Sequence, residues 1–359
     1  MKTFFEKQDW ERINSTFQKW WEGKLERPLI LMTLTDCPVN LPRPRLDFRH
    51  FTSFYELTIP AEQIAEAWNY EISRRKFIGD AFPTIWPNFG PGVIAAFIGA
   101  KLENGKNTVW FHPERKREIS EIEFKYDSQN QWVNRIKDII KAAQKIWQGT
   151  VLIGMTDLGG NLDILSSFRP SEGLLLDLYD NPEHVKRLTW SAHELWWKYY
   201  NEFADFMSPV NPGYSAWTPL FSKTPYYMLQ CDFCYMISPE MFDEFVKPEL
   251  EASCKKLGNA FYHLDGVGQL PHLDSLLQIK ELKGVQWVPG DGKPSCEHWP
   301  EVYKKIRNAG KLIQLWGNFE TLDILVEQLG SAKGIAFMIS AKYSEQDKAI
   351  KFLEKYKVI

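Results

Sequence analysis

The stretch AFYHLDGVGQLPHLD closes a short apolar run with His263 and Asp265, two residues apart, just before the chain turns into glycines. In a β-strand, residues i and i+2 point to the same face, about 6–7 Å apart at Cα. An imidazole and a carboxylate placed this way can hold one metal ion, or can serve as base and acid on one substrate. The competing account makes His263 a hydrogen-bonded interior histidine and Asp265 the cap of the next turn. The strand-end position ahead of Gly266 and Gly268 favours chemistry.

A second candidate lies in LQCDFCYMI, where Cys231 and Cys234 form a CxxC around Asp232. Zinc accepts Cys, His and Asp donors, so these thiols could complete a metal set with His263 and Asp265. No second CxxC accompanies them, and two buried small apolar residues are the alternative. Asp232 is an acid in an apolar run and must find partners. The glycine turn of DLGGNLD lets backbone approach a ligand and carries Asp157, Asn161 and Asp163. Further candidates are Asp80, Trp86 and Asn88 in GDAFPTIWPNFGPG, Trp287 and Asp291 in QWVPGDG, and Gln314, Trp316 and Asn318 in QLWGN. His112 is expected to be structural, and His184, His193 and His298 to lie on helices facing solvent.

Apart from these last four histidines, the candidate groups fall where strands are predicted to end. In the C-terminal third, GVQWVPG, KLIQLWG and GIAFMIS read as strands. They alternate with helices in EHWPEVYKKIRNAG, ETLDILVEQLG and SEQDKAIKFLEKY, the rhythm of parallel βα units. RPLILMTL and TVLIGMTD are apolar enough to be strands buried on both faces. Helices are predicted over 60–78, over 128–148, from Pro182 and from Pro239, the last with a kink at Pro248. Residues 9–22 form a further amphipathic helix. The count is about eight strands, hence one domain over 1–359, a (β/α)8 TIM-type barrel with an N-terminal helical extension over 1–25. A doubly wound open sheet is the alternative, but no glycine-rich nucleotide turn follows the first strand, so no nucleotide cofactor is expected.

Composition narrows the partners. The net charge of -3 and the absence of a Lys/Arg run argue against nucleic acid or an anionic membrane. No apolar stretch approaches the ~20 residues of a membrane helix, and the N-terminus lacks the apolar core of a signal peptide. Five cysteines without framework spacing point to a reducing cytoplasm. Fifteen tryptophans fit a pocket for a flat or sugar-like ligand, so a carbohydrate-active barrel and a non-catalytic binding barrel both stand as alternatives to the enzyme developed next.

The order of GDAFPTIWPNFGPGVIAAFIGA, DLGGNLDILSSFRPSEGLLLDLYDNPEHVKRL, CDFCYMISPEMFDEFVKPELE and FYHLDG resembles the uroporphyrinogen decarboxylase superfamily. That superfamily includes zinc-dependent methyltransferases acting with methylated corrinoid proteins. The resemblance runs from about residue 25 to the end. It implies a TIM-type barrel, a small-molecule substrate, one-carbon (methyl) transfer with zinc and a corrinoid protein as partner, or a cofactor-free decarboxylase or lyase. Asp80 falls where the decarboxylases of the family place their catalytic aspartate. The family's arginine-rich segment after the first strand corresponds to RPLILMTLTDCPVN, which carries only Arg27, ahead of the strand, so a substrate with eight carboxylates would find little to bind. His263 matches the histidine of the methyltransferases' zinc-binding His-x-Cys, Asp265 replaces its cysteine, and FMISAKYS lacks the second one.

Overall fold

A computed structural model describes residues 2–359. Its strands are β1 (Leu29–Thr35), β2 (Lys76–Gly79), β3 (Thr84–Ile85), β4 (Lys101–Asn104), β5 (Val109–His112), β6 (Leu152–Ile153), β7 (Tyr226–Gln230), β8 (Asn259–Asp265), β9 (Leu282–Val288), β10 (Leu312–Trp316) and β11 (Ile335–Lys342). Seven form one sheet in the order β2-β1-β11-β10-β9-β8-β7, parallel throughout except for β2. β3 and β6 pair in parallel by themselves, and β4–β5 is a hairpin.

The protein is therefore mixed α/β with a parallel sheet, but the hydrogen-bonded ladder does not close. Two local causes account for this. β2 runs antiparallel along the free edge of β1, from Leu34↔Lys76 to Leu31↔Gly79. At the other gap, the amide of Met155 leaves the sheet to donate to the Ser215 carbonyl (2.9 Å), so the apolar run TVLIGMTD yields a strand of only Leu152–Ile153.

Helix chemistry follows the sequence closely. Asn130 caps Gln131–Trp147 by accepting from the amides of Trp132 and Val133, and Pro182 opens Pro182–Met207 where a missing N–H costs nothing. The kink expected at Pro248 is a full break into Pro239–Phe245 and Lys247–Lys256, with Pro248 in the first turn of the second helix. The stretch 60–78 is corrected too: its helix is Ala61–Ser73, and the chain then extends into β2.

Helix Lys7–Trp21 packs Trp10, Phe17 and Trp20 against Phe82, Phe221 and Phe261. Phe261 is near the start of β8, so this helix covers the N-terminal side of the sheet and leaves the strand C-terminal ends free. Among the described residues, no helix is long and apolar enough to cross a membrane.

Candidate functional site

Three neighbouring strands place His263, Gln286 and Gln314 side by side, through the register pairs His263↔Gln286 and Gln286↔Gln314. Gln286 Nε2 donates to Gln314 Oε1 (2.9 Å), and Gln314 Nε2 donates to the Met338 sulfur (3.3 Å). Gln286 thus turns its Oε1 to His263 Nδ1, which carries the proton and donates. That bond fixes the ring and leaves Nε2 facing Asp265 Oδ2 at 3.7 Å. The imidazole meets Trp217 at near right angles, ring centroids 4.9 Å apart.

Asp232 joins from the turn after β7. Each of Asp232, His263 and Asp265 offers a donor atom, all within 4.8 Å of one another. The turn is held by Asp163, in the first turn of helix Asn161–Phe168, whose carboxylate accepts from the amides of Asp232 (3.0 Å) and Phe233 (2.7 Å). Buried Asp157 accepts from the Gly159 amide (3.0 Å) and from Gln230 Nε2 (3.3 Å). Asn161 is buried with neither side-chain atom hydrogen-bonded.

The electrostatics are dominated by excess negative charge. Burial, with the charge of Asp232 added, pushes the Asp157 carboxyl up to about 7. The same two causes bring Asp163 to about 7. Asp232 is exposed at its rim position, but partial desolvation beside the cluster raises its carboxyl as well, His263 opposing and Asp265 adding. Burial disfavours the His263 imidazolium, yet the nearby Asp265 carboxylate and the charge of Asp232 outweigh it and raise the pKa. An array of this kind is stabilised by protons or by a cation.

Other candidates lie elsewhere. Asp80, expected as a catalytic acid, lies fully buried at the N-terminal end of β1, where it accepts from two Arg27 nitrogens (2.6 and 2.9 Å) and from the Ile30 amide (3.0 Å). Cys231 and Cys234 are buried free thiols outside the donor cluster; Cys234 Sγ meets the hydroxyl of Tyr262 (3.6 Å), and Tyr262 points to the side of β8 away from His263. Trp287 is fully buried against Trp299, because Gln286 takes the inward position and alternation sends its neighbour outward. Asp291 is exposed in the loop after β9. His193 does not face solvent; it is buried and paired with Glu249 (2.9 Å). Arginines do follow β1, beyond the stretch RPLILMTLTDCPVN: Arg43 pairs with Asp47 (2.6 Å), Arg49 lies over Tyr55, and Arg45 is exposed.

Trp86 and Trp316 line a cavity of about 280 Å³ together with Trp217. Asp163, Gln230 and Asp232 line a separate groove of about 490 Å³ beside the β4–β5 hairpin. Gln286, Gln230 and the role of Asp163 went unassigned in the sequence. The available signal was a lone amide inside an apolar strand, which requires a buried partner as an acid does. Compared with protein-family models and with curated proteins, the chain matches none.

Proposed function

We propose that the chain is an enzyme of the uroporphyrinogen decarboxylase superfamily, a (β/α)8 barrel in which Asp232, His263 and Asp265 hold a divalent cation for methyl transfer on a small organic substrate. Six strands parallel in one sheet (β1 and β7–β11) and a separate parallel pair (β3 and β6), with a helix across the N-terminal side of the large sheet and candidate groups at its C-terminal ends, support the barrel reading. The observation that carries the functional reading is the convergence of Asp232 and Asp265 on a histidine whose other nitrogen is already committed to Gln286.

The donors fit a cation. Ligand atoms around one ion at ~2.0–2.2 Å sit roughly 3–4 Å apart, so atoms within 4.8 Å need only a small contraction. Two carboxylates and one imidazole favour zinc or a harder ion such as Mn²⁺ over a thiolate-rich zinc site. A bound cation would act as a Lewis acid, making the substrate's nucleophilic atom easier to deprotonate. His263 and Gln286 orient the donor, and Asp163 fixes the turn that presents Asp232. Asp157, with its carboxyl near neutrality, is suited to accept the nucleophile's proton. A corrinoid protein as methyl donor and a cytoplasmic setting belong to the same proposal; five unpaired cysteines are in keeping with the latter.

The near-neutral Asp157 and the raised His263 also favour a second reading, metal-free proton transfer in a decarboxylase or lyase. Titration of metal-free protein with Mn²⁺ and Zn²⁺, followed by loss of methyl from methylcobalamin in the presence of small thiols, alcohols and amines, separates the two. We expect one cation per chain, lost in His263→Ala, and cation-dependent methyl loss. A folded His263→Ala protein that keeps the activity, or wild-type protein that binds no cation at millimolar concentration, refutes the first reading.

A further inference from the structure

The cavity of about 280 Å³ is apart from the cation cluster: Trp217 lines it and packs at near right angles to His263. Leu31 and Phe82 lie at its depth, and Phe48 and His50 of the loop after β1 border it on the outside. No Asp or Glu lines it, and its only chargeable groups are Arg75 and exposed His50. Two buried donors on its lining residues lack partners, Arg75 Nε and Trp217 Nε1. The Arg75 guanidinium is tied at one nitrogen only, Nη2 to Glu71 Oε1 (2.7 Å). Buried donors without acceptors are costly, and an anion satisfies a guanidinium better than a neutral acceptor does. The size is near the low end of the ~300–1,000 Å³ of small-molecule pockets, and an indole-rich wall favours a flat apolar body.

We propose that this cavity binds a small flat organic anion, an aromatic carboxylate of about one ring, with the ring against Trp86, Trp217 and Trp316 and the carboxylate at Arg75. The site goes beyond the cation cluster and does not require it. Isothermal titration of the wild-type chain with benzoate, benzamide and acetate tests the idea. Benzoate should bind at least about tenfold more tightly than either, because benzamide lacks the charge and acetate the ring. Arg75→Gln should remove that preference for benzoate over benzamide, and Trp316→Ala, at a partly exposed position, should weaken both aromatic ligands. Equal affinity for benzoate and benzamide, no benzoate binding at 10 mM (about 3 kcal/mol of affinity), or an unchanged preference in folded Arg75→Gln overturns it. The wild-type comparison decides the matter even if a variant fails to fold. Mn²⁺ titration of the same sample reads the cation cluster independently, so either site can fail alone.

Discussion

Asp157 makes the cost of the acidic cluster measurable. Its carboxyl titrates at about 7 in the folded chain, against an ordinary value of 3.8. Between those values the folded state holds a proton that the unfolded chain has released, so stability is full below pH ~4 and falls as pH rises to ~7. A gap of about 3 units at 1.36 kcal/mol each sets a ceiling of roughly 4 kcal/mol. Asp157→Asn removes the titration while keeping an acceptor for the Gly159 amide, so at pH 5 it should cost about 1 kcal/mol or less. At pH 8 the variant should be the more stable protein, by roughly 1–3 kcal/mol after relaxation. Urea unfolding of both proteins at half-unit steps from pH 4.5 to 8, with EDTA present, measures the difference directly. Carboxyls distant from Asp157 cancel in that difference, whereas Asp163 and Asp232, which feel its charge, add to it. A wild-type-minus-variant stability that stays flat with pH, or that moves in favour of wild type as pH rises, would refute the argument.

Three further outcomes follow from the same geometry. Asp80→Ala strands Arg27 and the Ile30 amide, and should cost about 3–5 kcal/mol in urea unfolding while the folded fraction binds Mn²⁺ as before. A catalytic Asp80 would instead show lost turnover at near-normal stability. Gln286→Leu leaves the His263 Nδ1–H without its acceptor, and calorimetry should show cation affinity lowered about 10–100-fold. The double variant Cys231→Ala/Cys234→Ala should keep full cation affinity and lose only about 1–3 kcal/mol of stability; loss of the cation would return the thiols to the donor set.

Much of the frame was legible because it depends on local chemistry. Pro182 and Pro239 start helices in sequence and structure alike, since a proline ring acts within one turn. The same holds for the C-terminal strands, whose apolar runs are bounded by glycines. The misjudged elements are those settled at a distance. β2 takes up extended pairing because β1 offers a free edge, and β6 stops where the Ser215 carbonyl attracts the Met155 amide.

The site divides in the same way. The sequence by itself determined that His263 and Asp265 share a face and that Asp157, Asn161, Asp232 and Trp316 lie near strand ends, because strand alternation is a local property. It could not determine partners. Asp80 and Asp232 are both acids beside apolar runs, and only the packed chain sends one to Arg27 and the other to His263. Likewise, Trp287 and Gln286 are adjacent, and one hydrogen bond across strands decides that the glutamine faces the histidine while the indole is buried on the other side. Long-range pairing, burial and the charges they assemble are properties of the folded chain, and they decided which of the candidate residues stand together.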